Sequence, residues 1–226
     1  FGIEELNSMQ KSAAKSIVPS SDTVLLSPTG TGKTLAFLLP LVEMLEPEVK
    51  EVQAMIVVPS RELALQIEQV FREMGSGFKA NAVYGGRSIA KDRIELEHLP
   101  ALLIGTPGRL ADHLRREAFS TSEIKTLILD EFDKSLEVGF KDEMMEIVFG
   151  LRNVVTRVLT SATQGVSIPN FVGIENQTTI NYLDQKLDQL KIEIVNSPSK
   201  DKLETLYNLL KHLGNEPGIV FCNFKD

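Results

Sequence analysis

The chain is 226 residues long, 42% hydrophobic and 24% charged, which is enough for one full core and part of another. Its net charge of −7 excludes a whole-surface basic field, so any nucleic-acid site must be local. A single cysteine, Cys222, excludes a disulfide framework and a thiolate zinc site. In chain order, Thr23-Val24-Leu25-Leu26 is a short apolar run of strand character, and a helical stretch, Leu35 to Leu45, follows it across a glycine-rich loop. Ala54–Val58 is a second continuous apolar run. Leu63, Ile67, Val70, Phe71 and Met74 then fall on one helical face. Further strands are expected at Phe78–Val83, Ala101–Ile104, Thr126–Leu129 and Thr156–Thr160, with helical stretches between most of them, including Ile89–His98 and Asp142–Leu151. Near-continuous apolar strands separated by helices predict a parallel sheet covered on both faces. Right-handed connections then give a doubly wound α/β domain, whose ligand sits beyond the C-terminal ends of the strands.

The pattern changes near residue 178. Asn181-Tyr182-Leu183-Asp184-Gln185 is polar and without clear periodicity. Lys191–Val195 alternates as a strand, Leu203, Leu206, Tyr207, Leu210 and Leu213 form a helical stripe, and Gly218–Cys222 reads as another strand. The expected organisation is a first domain over 1–182, a linker over 183–189 and the beginning of a second α/β domain over 190–226. No apolar run reaches the roughly eighteen residues of a membrane span and no signal peptide is visible. A soluble cytoplasmic protein without membrane contact is therefore expected, with a nuclear location open if the source is eukaryotic. His98, His113 and His212 lie apart without ligand spacing and read as structural or exposed.

Ser27-Pro28-Thr29-Gly30-Thr31-Gly32-Lys33-Thr34 joins the first strand to the first long helix. Strand, glycine loop, Gly-Lys-Thr and helix make the phosphate-binding loop of a nucleotide hydrolase, with Ser27 where the general pattern has Gly. Gly30 and Gly32 let backbone N–H groups approach phosphate oxygens, Lys33 supplies charge for the β- and γ-phosphates, and Thr34 offers a hydroxyl to Mg²⁺. Asp130-Glu131-Phe132-Asp133 follows the strand Thr126–Leu129. By itself it reads as a solvated acidic turn. Beside Lys33-Thr34 it reads as the second half of the same machine, with Asp130 holding Mg²⁺ through water and Glu131 activating the attacking water.

Together these elements resemble a DEAD-box RNA helicase of helicase superfamily 2. Asp130–Asp133 is similar to Asp-Glu-Ala-Asp with Phe for Ala, and Ser27–Thr34 to Ala-x-Thr-Gly-x-Gly-Lys-Thr with Ser for Ala. Pro59-Ser60-Arg61-Glu62-Leu63-Ala64, Gly85-Gly86, Thr106-Pro107-Gly108-Arg109 and Ser161-Ala162-Thr163 follow in family order, and Ile219–Asn223 resembles the opening motif of the family's second domain. The resemblance implies a RecA-like fold and an RNA-dependent ATPase that couples ATP–Mg²⁺ hydrolysis to RNA unwinding or remodelling, expected as a monomer. It implies Gln10 as the adenine-reading amide, although Leu6-Asn7-Ser8-Met9 stands where Pro-Thr-x-Ile is common. It assigns Pro59, Ser60, Arg61, Gly86, Thr106 and Arg109 to the RNA backbone. It assigns Asp133, Ser161 and Thr163 to coupling between nucleotide state and domain closure. Taken singly, Gln10 also reads as an exposed helix residue, Ser60 as a helix cap, Gly85-Gly86 as an ordinary turn, Arg109 as half of a surface ion pair, and Ser161 and Thr163 as the cap of a helix over Gln164–Val172. The same motifs serve an ATP-gated RNA clamp. A DNA-directed motor fits Gln10, Pro59–Ala64 and Thr106–Arg109 less well. The later motifs of the second domain, including its charge-stabilising arginine, and the upstream stacking aromatic are not in the sequence.

Overall fold

The apolar runs become strands because each alternates its side chains between two buried layers. In the computed structural model, which describes residues 5–163, 167–174, 176–184, 193–198, 200–214 and 217–221, these strands are β1 (Asp22–Leu26), β2 (Ala54–Val57), β3 (Ala80–Val83), β4 (Leu102–Gly105), β5 (Thr126–Leu129), β6 (Thr156–Ser161) and β7 (Thr178–Asn181). Helices follow most of them: α1 (Ser8–Ser16) precedes β1, then come α2 (Lys33–Met44), α3 (Arg61–Glu73), α4 (Ile89–Glu95), α5 (Pro107–Arg115), α6 (Phe132–Glu137) and α7 (Lys141–Gly150). The seven strands pair in the order β3-β4-β2-β5-β6-β1-β7, every pairing parallel. This is the doubly wound sheet that the alternation predicts.

Leu25, Ile56, Ile104, Ile128 and Val158 face one layer with Met9, Ala13, Phe37, Leu38, Leu41, Ile67 and Phe71 from α1, α2 and α3. Their sequence neighbours Val24, Met55, Val57, Leu103, Leu127, Leu129 and Leu159 face the other, with Leu110, Phe132, Met144 and Ile147. Burying both faces explains why these strands read as unbroken apolar runs. A side chain such as Phe37 contributes about 1.5–3 kcal/mol by leaving water, and its relative exposure is 0%.

Strand β7 was not legible in the sequence. It is an edge strand on β1 in which only Ile180 is buried, so its composition carries no apolar run. At the opposite edge, the Glu68 side chain accepts the Ala82 N–H of β3 at 3.1 Å, occupying a ladder position. The helix expected over Gln164–Val172 is not formed in its described part. Residues 167–169 are irregular and Asn170–Val172 is a single 3₁₀ turn. Pro169 explains this, since the residue before a proline is driven out of helical geometry.

The chain divides into two compact units, Phe1–Lys186 and Leu187–Asp226. In the second, α8 (Leu203–Leu213) forms where the apolar stripe places it. The two strands expected beside it do not form: residues 193–195 and 218–221 are irregular, while 191, 192 and 222 lie outside the described residues. A strand exists only in a ladder, and alternation alone supplies no partner. Among the described residues, no helix is long and apolar enough to cross a membrane.

Candidate active site

The loop between β1 and α2 is shaped by two left-handed glycines, Gly30 at φ 80° and Gly32 at φ 88°. Gly32 is also the residue that caps α2, with no side-chain cap. The first N–H groups of the helix are therefore available to an anion, and the helix dipole adds to their attraction. Lys33 is buried and folds back, its Nζ donating to Ser27 O at 2.6 Å and Pro28 O at 3.2 Å. Burial pushes its pKa down from the ordinary lysine value, opposed by the charges of Asp130, Glu131 and Asp133. The loop is braced by Ser27 Oγ against Thr31 Oγ1 at 2.7 Å and by Thr31 Oγ1 donating to Pro28 O at 2.8 Å.

Gln10 is not an exposed helix residue. It is 5% exposed and sits against this loop, its Nε2 donating to Gly32 O at 3.3 Å. Its Oε1 accepts the Asn7 N–H at 3.0 Å, while Asn7 Oδ1 accepts the Gln10 N–H at 2.9 Å, a reciprocal cap on α1. Asn7 Nδ2 donates to Thr31 O at 3.1 Å. Asn7 was missed in the sequence, although Asn-x-x-Gln ahead of Ala13 and Ile17 is a capping signature. One N–H of the Gln10 amide is left for a ligand.

Asp130 ends β5 and Ser27 ends β1, with β6 lying between these two strands. Asp130 is 5% exposed, and its Oδ1 accepts a hydrogen bond from Thr160 Oγ1 of β6. Burial, reinforced by the neighbouring Glu131 charge and offset by the Thr160 hydroxyl, pushes Asp130 up to about 6. Glu131 adopts a left-handed backbone, φ 47° and ψ 49°, which turns the chain sharply into α6. Asp133 is buried and its Oδ2 accepts from Thr163 Oγ1 at 2.7 Å; Ser161 Oγ lies 3.2 Å from that hydroxyl. The three expected coupling residues therefore form one chain of contacts, with Ser161 one step removed from the acid. Thr160 was also missed. A lone threonine at a strand end carries no sequence signal until its partner is known.

The residues assigned to RNA divide into two groups. Ser60 Oγ accepts the Leu63 N–H at 3.2 Å and so caps α3. Arg61 is exposed, its guanidinium 5.0 Å from the Tyr84 ring centroid. Gly86 is exposed and left-handed, φ 80°, in the loop after β3. Pro59 and Thr106 are partly exposed at the ends of β2 and β4. Arg109, which the resemblance assigns to the RNA backbone, is engaged within the chain. Its side chain is 9% exposed; Nε donates to Tyr84 O at 3.1 Å, and a terminal nitrogen donates to Arg87 O. It also lies 3.5 Å from the fully buried Asp92, which holds Arg87 Nε at 3.3 Å and His113 Nε2 at 3.0 Å. Arg109 thus ties down the Tyr84–Arg87 loop, because its planar fork matches two backbone carbonyls at once.

Thr29, Gly30, Gly32, Lys33, Thr34, Leu35, Leu63, Gln66, Val70, Asp130 and Glu131 line one cavity of about 440 Å³ at the C-terminal ends of the strands. A larger hollow, about 770 Å³, lies at their N-terminal ends, lined by segments 47–51, 76–79 and 97–101. The glycine loop and the paired acids line the smaller one. Glycine loop, lysine and paired acids at the C-terminal edge of a parallel sheet define a phosphate-loop nucleotide-binding protein. A family model for the DEAD/DEAH box helicase matches residues 7–170. The chain belongs to that family. It is 32% identical over 231 positions to the ATP-dependent RNA helicase eIF4A of Mycosarcoma maydis, covering 99% of this chain and 56% of that protein. It is likewise 32% identical to the ATP-dependent RNA helicase FAL1 of Lodderomyces elongisporus, covering 100% of this chain and 58% of FAL1. Among solved structures it resembles a hypothetical ATP-dependent RNA helicase from Sulfolobus tokodaii, with a TM-score of 0.70, 26% identity and coverage of 80% of this chain and 54% of that one. It also resembles the yeast DEAD-box splicing factor Prp28, with a TM-score of 0.67, 25% identity and coverage of 73% and 42%. The fold is RecA-like, and the chain spans little more than half the length of the relatives it matches.

Proposed function

We propose that this chain is the nucleotide-binding core of an ATP-dependent RNA helicase, extending over 1–182 and followed, from about residue 190, by the opening of its second helicase domain. The observation that carries the reading is the convergence of Gly30, Gly32, Lys33, Thr34, Asp130 and Glu131 on one cavity. Lys33 leaves its two backbone carbonyls and turns to the β- and γ-phosphates, an exchange favoured because phosphate oxygens carry full charge. The N–H groups at the start of α2 hold the remaining phosphate oxygens. Gln10 reads adenine with its remaining N–H and with the carbonyl that now caps α1.

The donors suit Mg²⁺. Thr34 and Asp130 both line the cavity and carry hard oxygen donors. Among the described residues, no group of three or more His, Cys, Asp or Glu could hold a metal ion. Thr34 and Asp130 suit an ion bound by one or two protein oxygens plus phosphate and water. When bound, the ion neutralises charge on the phosphates. Glu131 orients water and takes its proton as ATP and water become ADP and phosphate. Asp133, Thr163 and Ser161 couple nucleotide state to domain closure. RNA backbone runs over Arg61, Gly86, Pro59 and Thr106, with Arg109 holding the surface in shape.

The test is RNA-stimulated ATP hydrolysis by the protein that carries this chain, compared with single-stranded DNA. Stimulation by RNA and not by DNA is expected. Hydrolysis indifferent to both refutes the RNA part, and equal affinity of this chain for ADP and GDP refutes the adenine part.

A further inference from the structure

Thr160, in β6, meets Asp130 and Glu131 directly. It is fully buried, with 0% exposure. Its Oγ1 donates to Asp130 Oδ1 and accepts the Glu131 N–H at 3.1 Å, so one hydroxyl holds consecutive residues of the acidic turn. Both need holding. Among the described residues no lysine or arginine forms an ion pair with Asp130. The nearest cation lining the cavity, Lys33, is tied to backbone carbonyls. Glu131 sits in the left-handed region that side chains rarely adopt. We propose that Thr160 is a positioning residue for nucleotide-bound Mg²⁺: its hydroxyl engages Oδ1 of Asp130, fixing how the carboxylate meets the ion, and pins the backbone that aims Glu131 at water. The inference rests on the nucleotide-hydrolase reading above. It follows the general behaviour of groups that orient metal ligands without touching the metal. The next residue, Ser161, reaches Asp133 through Thr163. Adjacent hydroxyls of one strand thus hold the acidic turn at both ends.

Thr160→Val keeps the branched shape and removes the hydroxyl, while Thr160→Ser keeps the hydroxyl. ADP affinity of this chain is measured by calorimetry with Mg²⁺ and with a chelator. Thr160→Val is expected to bind metal-free ADP within about twofold of the original chain but to lose about tenfold or more of the affinity that Mg²⁺ adds, with Thr160→Ser restoring most of it. An unchanged Mg²⁺ effect in Thr160→Val overturns the proposal. So does an equal loss with and without the ion, which means structural damage. If the unaltered chain gains nothing from Mg²⁺, the hydrolase reading itself fails. Should Thr160→Val not fold, Thr160→Cys, a weak donor of similar size, carries the same two outcomes.

Discussion

Asp130 provides the sharpest physical test, because burial has a measurable cost there before any nucleotide arrives. Its pKa is pushed from the ordinary 3.8 to about 6. At roughly 1.4 kcal/mol per pH unit this amounts to about 3 kcal/mol. Between these two values the folded state holds the proton more tightly than the unfolded chain. Stability therefore falls as pH rises through that window, the cost being complete above about 6 and absent below about 3.8. Asp130→Asn removes the titration. Its amide oxygen can still accept from Thr160, and any cost of the added NH₂ is independent of pH. In metal-free and nucleotide-free buffer, the melting temperature of Asp130→Asn relative to the original chain should rise by about 6–12 °C between about pH 4 and about pH 7.5. Differential scanning fluorimetry across that range measures it. A difference that stays flat with pH refutes the assignment of the burial cost to Asp130. One that runs the other way means the native carboxylate is stabilised by a partner.

Glu131→Gln should retain ATP–Mg²⁺ binding while slowing single-turnover hydrolysis at least about a hundredfold, and a rate equal to the original assigns water activation elsewhere. Gly32→Ala should be worse than Gly30→Ala. Both positions are left-handed, but an added Cβ at Gly32 meets Gln10 Nε2 at 2.6 Å, whereas nothing lies within 4 Å at Gly30. The backbone cost of about 1–2 kcal/mol is common to both, so unfolding free energies from urea titration should separate them by about 1 kcal/mol, and equal values refute the contact. In salt titrations of RNA binding, Arg61→Ala should lower the slope by roughly one unit, whereas Arg109→Ala should weaken binding and leave the slope unchanged. A slope that falls for Arg109→Ala places its guanidinium on phosphate after all.

The sheet was legible because parallel strands with two covered faces are buried throughout: Ala54–Val57 and Thr126–Leu129 are buried at every position. β7 was hidden for the opposite reason, since an edge strand needs only Ile180 to dock. The second unit shows the limit of periodicity. It foretold α8, whose hydrogen bonds are local, and overstated the strands, whose bonds depend on a distant partner. At the site, residues with a local chemical pattern were found and those defined by contact across the fold were not. Lys33 and Asp130 lie in motifs. Thr160, Asn7 and Asp92 matter through residues 30, 24 and 21 positions away. Arg109 faces inward, because a buried carboxylate that no sequence pattern announces, Asp92, lies beside it.

The carboxylate of Glu68 on the Ala82 N–H has a meaning for the solution behaviour of the molecule. β3 is a terminal strand of the sheet, and its unpaired amides invite an extended segment from another molecule to dock there. A side-chain oxygen seated on the Ala82 amide fills one of those positions, so an incoming chain must displace it to gain that backbone bond. Glu68 thus makes this edge a poorer template for strand addition.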